Sequence, residues 1–270
     1  MAEWNLATEH STEVGLAEGG PRERRQQILE TLRQSGEVSI DHIIGRFRVS
    51  PATARRDLRL LERQGLAIRR HGGAATPESS LYEASFLERA RAYIAHKRSI
   101  ALAASALIQN AQTIALTGGT TTTAVARALR GRDVVIVTNA VNIAMELARE
   151  PRIRVHLTGG RLRGASYELV GSAAAQTLQG LNVDVAFIGV NGISVERGLT
   201  TFNEEEAEIN RAMVYAAQRA VVVADHSKLE KATLVQICPI NAVGLLVTDR
   251  EARVEHVELF QQAGLEVVLA

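Results

Sequence analysis

The fold of the front part of the chain is decided by residues 50–65, which read SPATARRDLRLLERQG. Ser50 is a suitable helix N-cap, and Pro51 suits the first helical position, where its missing backbone donor is not needed. Gly65 can adopt the left-handed conformation that commonly ends a helix. The spacing therefore predicts a helix from Pro51 to about Gln64.

Apolar and basic residues separate onto opposite faces of this predicted helix. At ~100° per residue, Ala54, Leu58 and Leu61 fall in one narrow stripe. The opposite face carries small and basic side chains, namely Ala52, Arg55, Arg56, Arg59 and Arg63. We expect the first face to pack against other helices and the second to form a cationic ridge. A helix of this width fits the major groove of DNA.

Further elements of a winged helix-turn-helix surround this helix. Residues 22–34 form a predicted first helix, and Ser39 is a suitable N-cap for a second. Residues 66–74 alternate into a Gly-Gly turn, which predicts a short β-wing. Asp57 is expected to be structural, either pairing with a neighbouring arginine or facing the helix start.

We assign DNA contacts to residues of the predicted third helix, the wing and the helix caps. Ala52, Thr53, Arg55 and Arg56 are expected at base edges, whereas Arg59 and Arg63 are expected to hold phosphates. The candidate DNA-binding residues are Ser39, Ser50, Ala52, Thr53, Arg55, Arg56, Arg59, Arg63, Arg69, Arg70 and His71. Arg69, Arg70 and His71 are expected to touch the DNA backbone.

Charge is distributed unevenly along the chain, although the formal net charge is only +1. Residues 1–21 hold four acids and no base, whereas residues 22–75 hold twelve arginines and six acids. A basic block on a near-neutral chain is typical of a polyanion-binding domain. Genome composition explains arginine in place of lysine but not the clustering. A basic run alone is usually a solvated face, whereas its position on a capped third helix favours DNA binding.

The same residues resemble the N-terminal domain of the DeoR family of bacterial transcriptional regulators. The matching pieces are RRDL at 55–58, LE at 61–62, GL at 65–66 and RRHGGA at 69–74. The resemblance covers about residues 22–75 and implies a winged helix-turn-helix that binds double-stranded operator DNA.

The remainder of the chain has a different pattern, in which helices alternate with apolar strands. Residues 76–98 are predicted to be a linker, and residues 99–270 an α/β domain with a parallel sheet. Several strands are β-branched runs without alternation, as expected of strands covered on both faces. The predicted strands are Thr113–Thr117, Val134–Thr138, Val155–Thr158, Val183–Gly189, Ala220–Ala224, Val243–Val247 and Glu266–Leu269.

Residues 117–123, TGGTTTT, form the most chemically suggestive segment of this second domain. The segment follows a predicted strand and opens a predicted helix. Gly118 and Gly119 allow close approach of an anion, while the helix start offers backbone N–H groups. The sequence is neither a Walker A loop nor a dinucleotide fingerprint. Taken alone, a phosphate-binding loop and a plain strand-to-helix turn are about equally favoured.

Polar residues at other strand ends are expected to converge with this segment, because ligands of parallel sheets bind at the carboxyl ends of strands. The candidate effector-binding residues are Gly118, Gly119, Thr120, Thr121, Thr122, Asn139, Gly160, Arg161, Asn191, Glu206 and Lys228. For the three acids at residues 204–206, helix-start electrostatics is the alternative interpretation. His156 and His226 have no partner at metal-ligand spacing, so no metal site and no cofactor are predicted.

This second domain also resembles the C-terminal effector domain of the DeoR family. The matching pieces are GTTT at 119–122, TN at 138–139, TGG at 158–160, IG at 188–189, GI at 192–193, EA at 206–207 and D-x-S-K at 225–228. The resemblance implies a multi-domain α/β protein whose Rossmann-like domain is related to ribose-5-phosphate isomerase, with a phosphorylated sugar as the signal. The chain departs from many members at Thr117, Gly118 and Asn191, which leaves the effector open.

The leading hypothesis is a repressor of a sugar-utilisation operon that is relieved by a sugar phosphate, and a homo-oligomer is expected because operators are usually bound by dimers. The alternative is a sugar-phosphate isomerase or deaminase with an appended DNA-binding domain, although Asn191 stands where an acid would serve as base. The single cysteine, Cys238, excludes an intrachain disulfide and suggests a reducing compartment. Residues 1–21 are expected to be a disordered acidic tail rather than a signal peptide, and a cytoplasmic location is predicted.

Overall fold

The computed structural model describes residues 20–64, 66–70, 72–76 and 85–270 of the chain. The chain divides into two compact units, residues 1–79 and residues 80–270. No helix in the described part of the chain is long and apolar enough to cross a membrane.

The smaller unit consists of helices with a small antiparallel sheet. Its elements are α1 (Pro21–Ser35), β1 (Glu37–Ser39), α2 (Ile40–Phe47), α3 (Pro51–Arg63), β2 (Ile68–Arg70) and β3 (Gly73–Ala75). The strands pair in the order β1-β3-β2. The arrangement of α2, α3 and the β2–β3 hairpin confirms the predicted winged helix-turn-helix.

Local capping accounts for the helix boundaries in this unit. The Ser39 hydroxyl accepts a hydrogen bond from the backbone N–H of His42 at 3.0 Å, and Ser50 accepts one from Thr53 at 3.2 Å. Gly36 ends α1 in the left-handed conformation, with φ of 76°. The helix stop predicted at Gly65 lies outside the described residues; α3 ends at Arg63, with Gln64 as its C-cap.

The core of the smaller unit lies between the three helices. The apolar stripe predicted on α3 is buried, as Ala54, Leu58 and Leu61 are at most 1% exposed. They pack in one cluster with the fully buried Ile28 of α1 and Ile43 of α2. This packing orients the opposite face of α3 away from the core.

The larger unit is an α/β domain with one central sheet and two smaller sheets. Its elements are α4 (Phe86–Arg91), α5 (Ile94–Ala106), β4 (Thr113–Leu116), α6 (Thr120–Ala128), β5 (Val134–Thr138), α7 (Val141–Leu147), β6 (Ile153–Leu157), β7 (Arg161–Arg163), β8 (Glu168–Val170), α8 (Ser172–Leu178), β9 (Val183–Ile188), β10 (Gly192–Ser194), β11 (Gly198–Thr201), α9 (Glu204–Ala216), β12 (Ala217–Val223), β13 (Val235–Cys238), β14 (Leu245–Thr248), α10 (Val254–Gln262) and β15 (Glu266–Leu269).

Among the described residues, seven strands form the central parallel sheet in the order β15-β14-β12-β9-β4-β5-β6. Each of the seven predicted strands corresponds to one of them. Alternate residues of the strands pack on the two faces: Leu116 lies in the cluster that includes α5 and α6, whereas Ala115 lies in the cluster that includes α8 and α9. Burial on both faces explains why these strands are continuous apolar runs.

The strand order reverses at β4, because the chain proceeds from β4 through β5 to β6 and then returns to β9 on the other side of β4. Such a switch point opens a crevice at the carboxyl ends of the two strands and is the usual ligand site of a parallel α/β sheet. The loop at Gly118 follows β4, and Gly189 follows β9. The fold therefore places both loops at this crevice.

Two parts of the larger unit differ from the sequence-based expectation. Residues 85–98, predicted to belong to a linker, contain α4 and the start of α5 and are part of the larger unit. The antiparallel pair β7–β8 and the sheet β10-β11-β13 were not predicted. These strands have three or four residues each. Runs this short give little periodicity, so long-range pairing determines them.

Candidate functional site

The outer face of α3 is a basic surface. Ala52, Arg55, Arg56, Arg59 and Arg63 are exposed and Thr53 is half-buried. A shallow groove runs along this face and is lined by Ala52, Thr53, Arg56, Arg59 and Arg63. The ridge predicted from the sequence is thus presented to solvent, where its guanidinium groups can reach phosphates and base edges.

A buried carboxylate ties α3 to α1 beneath this surface. The Asp57 side chain is only 5% exposed, and its oxygens accept hydrogen bonds from Arg24 Nε at 2.7 Å and from Arg25 Nη1 at 3.3 Å. Asp57 is therefore structural, as predicted, but its partners lie on α1 and not on α3. The sequence offered no signal for this long-range choice of partner.

The remaining candidate DNA-binding residues lie at the helix caps and the wing. Ser39 and Ser50 use their hydroxyls as N-caps of α2 and α3. Arg69 is half-buried in β2 and pairs with Ala74 of β3. The side chain of Arg70 and the whole of His71 lie outside the described residues.

A second candidate site is a cleft at the switch point of the larger unit. It is bordered by the loops after β4, β9 and β12, by α4 and the start of α5, and by residues of β8, β11 and α9. The lining residues are Arg89, Ala92, Tyr93, Lys97, Gly118, Gly119, Thr120, Thr121, Glu168, Gly189, Val190, Asn191, Thr201, Glu206, Asn210, Ala224, Asp225 and Lys228.

The loop after β4 forms the floor of the cleft. A Cβ atom at Gly118 would lie 2.2 Å from the Glu168 side chain, and Gly119 has φ of 132°, so both positions require glycine. Thr122 and Thr123 donate their hydroxyls to the Gly119 carbonyl, at 3.0 and 2.6 Å. Among the described residues, no side chain accepts a capping hydrogen bond from the backbone N–H groups at the start of α6. The first N–H groups of α6 are therefore left for an anion.

Lysine side chains supply positive charge to the same cleft. Lys97 Nζ donates to the carbonyls of Arg89 at 2.6 Å and Ala92 at 2.7 Å. Burial lowers the pKa of Lys97 to about 8. Burial also lowers the pKa of Lys228, against the opposing effect of the Asp225 carboxylate. Both ammonium groups are thus destabilised by burial, and a bound anion would favour their charged forms.

A pair of buried carboxyl groups lies on another wall of the cleft. Glu206 accepts hydrogen bonds from Arg163 Nη1 at 2.8 Å and from Thr201 Oγ1 at 3.1 Å. Burial raises the pKa of Glu168 well above its ordinary value, and the neighbouring Glu206 charge adds to this. For Glu206, burial raises the pKa, but hydrogen bonds with Glu168 and Ser166 and the Arg163 charge outweigh it, so the pKa is lowered. Glu168 therefore holds the proton and Glu206 the charge.

The structure brings most of the candidate effector-binding residues to the cleft. Those that line it are Gly118, Gly119, Thr120, Thr121, Asn191, Glu206 and Lys228. The Asn191 Oδ1 atom lies 2.9 Å from Thr201 Oγ1, whose single hydroxyl proton is shared between Asn191 and Glu206.

Four candidates are not among the lining residues. Thr122 and Asn139 are fully buried, and Asn139 Oδ1 accepts a hydrogen bond from the backbone N–H of Gly118 at 3.2 Å. Asn139 thus positions the loop from behind instead of facing a ligand. Gly160 and Arg161 follow β6, the edge strand of the central sheet, and Arg161 is paired with Glu205 at 2.5 Å.

Sequence reasoning missed several lining residues, among them Arg89, Tyr93, Lys97 and Glu168. The first three lie in the segment that was predicted to be a linker. One signal was present: the chain has only three lysines, and two of them, Lys97 and Lys228, line the cleft. Glu168 carried no such signal, because the β7–β8 hairpin that places it was not predicted.

An exposed basic helix within a helix-turn-helix in one unit, and a charged cleft at the switch point of a second, α/β unit, are features of one class of protein, the two-domain transcriptional regulator. Comparison with known families gives the particular family. The DeoR-like helix-turn-helix domain matches residues 24–80, and the DeoR C terminal sensor domain matches residues 93–250. The chain belongs to the DeoR family of transcriptional regulators.

Individual relatives match over almost the whole chain. A protein of Escherichia coli O157:H7, provisionally named the aga operon transcriptional repressor, is 38% identical and is covered over 94% of its length by 93% of this chain. The glycerol-3-phosphate regulon repressor of Escherichia coli K12 is 32% identical, with 92% of this chain and 98% of that protein covered. Among solved structures, ribose 5 phosphate isomerase A from Neisseria gonorrhoeae aligns with 49% of this chain and 52% of its own, at 18% identity and a TM-score of 0.38.

Proposed function

We propose that this protein represses an operon of carbohydrate or sugar-phosphate metabolism and that a phosphorylated sugar or sugar derivative relieves the repression. The observation that carries the proposal is the cleft of the larger unit. It combines the uncapped start of α6 with Lys97 and Lys228 on one side and with Glu206 on another. A ligand with one anionic end and several hydroxyl groups fits this division of charge.

The phosphate end of the ligand is assigned to the loop after β4. Gly118, Gly119, Thr120 and Thr121 offer backbone N–H groups and hydroxyls, and the positive end of the α6 dipole favours an anion. Lys228 adds a point charge to this end. Phosphate binding would favour the charged ammonium, whose pKa burial lowers in the free protein.

The sugar end of the ligand is assigned to the polar groups beside this loop, which are Glu168, Asn191 and Glu206. The Glu168 proton is shared with Glu206, so the pair offers its remaining carboxyl oxygens as acceptors for the hydroxyl groups of a ligand. Asn191 lies next to Glu206 through their shared partner Thr201. These groups are fixed before binding, which is what selection among similar sugars requires.

Operator binding is assigned to the exposed face of α3 and to the wing. Arg55 and Arg56 lie in its first turns, where helix-turn-helix proteins contact base edges. We further propose that the protein acts as a homo-oligomer, because two-fold operators are read by symmetric dimers. A sedimentation experiment on the full chain with and without DNA tests this point; a monomer on DNA would contradict it.

The test of the switch is a fluorescence-anisotropy titration of the full chain on its operator against a panel of sugar phosphates. A ligand must bind the two states of the protein with different affinity to change operator binding. We expect one phosphorylated compound to release the operator, whereas its unphosphorylated sugar and inorganic phosphate do not. If no member of the panel changes operator affinity, the proposed effector class is wrong.

A matched pair of lysine variants tests the cleft itself. Lys228→Gln removes a cleft charge, so it should keep operator affinity while the effector concentration for half-release rises about tenfold or more. Lys231→Gln removes an exposed charge three residues away and should respond as the original protein does. Equal behaviour of the two variants would contradict the assigned phosphate position. Steady turnover of ribose 5-phosphate or glucosamine 6-phosphate would favour the enzyme alternative.

A further inference from the structure

A cluster of metal-ligand side chains lies beside the cleft and takes no part in the function proposed above. It consists of His96 on α5, His226 after β12, and Asp249 and Glu251 after β14. Each side chain offers one ligand atom, and these atoms all lie within 4.8 Å of one another. The chain segments that carry them are far apart in the sequence, which is why sequence spacing gave no indication of the cluster.

The side chains of this cluster already contact one another. His226 Nδ1 lies 2.8 Å from Asp249 Oδ1, and His96 Nε2 lies 3.1 Å from Glu251 Oε1. The other oxygen of Glu251 lies 3.9 Å from His226 Nε2. The Glu251 carboxylate is thus shared between the two imidazoles.

Among the described residues, the packing around the cluster leaves one imidazole nitrogen without a hydrogen-bond partner and holds Tyr93 in an unusual backbone conformation. His96 Nδ1 is buried and has no hydrogen-bond partner among the described residues, although buried polar atoms nearly always have one. Tyr93, which precedes α5, adopts a left-handed backbone with φ of 53°, unusual for an aromatic residue. Its ring packs edge-on against both imidazoles, at 5.8 Å from His96 and 5.1 Å from His226.

We propose that His96, His226, Asp249 and Glu251 bind a single divalent transition-metal ion of the zinc class. Two imidazoles and two carboxylates form the nitrogen and oxygen donor set that suits zinc and its first-row neighbours, whereas magnesium and calcium prefer oxygen donors alone. Zinc bound tetrahedrally at about 2.0–2.2 Å holds its ligand atoms about 3.4 Å apart. The four ligand atoms already lie within 4.8 Å of one another, so side-chain adjustments would complete the site.

Because of the position of this site, a bound ion would have a structural role. The ion would tie the start of α5 to the carboxyl ends of β12 and β14. Tyr93 packs on the histidines and also lines the cleft, and Lys228 lies in the same short turn as His226. Metal binding would therefore fix one wall of the cleft, and it goes beyond the function proposed for that cleft.

The test is metal binding by the full chain, after removal of bound ions with a chelator and without any sugar phosphate present. We expect titration calorimetry to give one zinc ion per chain at this site, and Co²⁺ to give the visible absorption of a tetrahedral site. His226→Gln and Glu251→Ala should each weaken zinc binding by more than about tenfold. His156→Gln alters an exposed histidine on β6 and should leave it unchanged. An excess of Mg²⁺ should not compete.

Glu251→Ala keeps the test valid if the histidine variant fails to fold, because the Glu251 side chain is 66% exposed. Absence of zinc binding, or equal affinity in both cluster variants and the His156 control, would overturn the proposal and leave the cluster as a hydrogen-bonded network. The result of the metal-binding experiment does not depend on the result of the operator titration. Zinc binding with no response to any sugar phosphate would leave the metal site standing and remove the proposed effector.

Discussion

The basic face of α3 and the cleft of the larger unit both carry positive charge, but the cations of the two regions differ in type and in exposure. On α3 the cations are exposed arginines, whereas the cleft is lined by Arg89 and by two lysines whose pKa values are lowered by burial. Exposed arginines attract any polyanion, and their attraction is screened by salt. Buried lysines opposed by carboxylates respond only to a ligand that replaces the lost solvation. The first arrangement suits a long duplex, and the second suits discrimination among small anions.

The largest expected effect is on the stability of the smaller unit, and it follows from removing the buried Asp57 carboxylate beneath the basic face. Asp57→Ala leaves Arg24 and Arg25 without their shared carboxylate, and breaking a buried ion pair costs about 3 kcal/mol. Hydrogen exchange in the full chain should show amide protection falling by that amount in α1–α3. Protection of the central sheet should not change, since the chain forms two compact units. Loss of protection in both units would show that their stabilities are coupled.

The second-largest expected effect is on DNA affinity, and it should differ between two arginines on the same face of α3. Arg56→Ala should weaken operator binding by about 1–3 kcal/mol and leave random DNA nearly unaffected, if Arg56 reads a base edge. Arg59→Ala should weaken operator and random DNA alike and reduce the salt dependence by about one unit of slope. Both side chains are exposed and line the same groove, so each serves as the other's control. Equal losses on both DNAs in both variants would make Arg56 a phosphate contact.

The same contrast explains how much the sequence could predict. The caps at Ser39 and Ser50 and the stripe of Ala54, Leu58 and Leu61 are local patterns, and the structure confirms them. The seven central strands were predictable because strands covered on both faces are continuous apolar runs. Because the apolar stripe identifies the buried face of α3 in the sequence, it also identifies the residues on the exposed face.

The cleft was only partly predictable, because its walls come from segments that meet through long-range packing. Gly118 and Glu206 stood at recognisable strand and helix ends, whereas Glu168 depends on a short hairpin without periodicity. Asn139 was expected to face a ligand, but it is fully buried and bonded to the backbone of Gly118. Spacing along the chain also gave no indication that His96 and His226 would meet.

The smallest effect is a pH dependence that should appear in one region and not in the other. Burial lowers the pKa of Lys97 to about 8, so this group loses its proton as the pH rises from 7 to 9. A sugar phosphate stays doubly charged over this range, because its second pKa is about 6. If only the charged lysine binds, effector affinity falls by up to about tenfold over this range, which corresponds to about 1.4 kcal/mol. Operator binding should stay level, since arginines remain charged.

The sign of this dependence follows from the loss of the lysine proton, and the lowered pKa places it near pH 8. Because the folded protein favours the neutral lysine, a folding cost accumulates as the pH falls from the ordinary lysine pKa to about 8, and a bound phosphate recovers it. Lys97→Arg keeps its charge and should flatten the profile, and Lys228, with a pKa lowered in the same direction, should account for any remaining slope. Anisotropy titrations at several pH values measure both affinities on one sample. An effector affinity that rises with pH would place the anion away from these lysines.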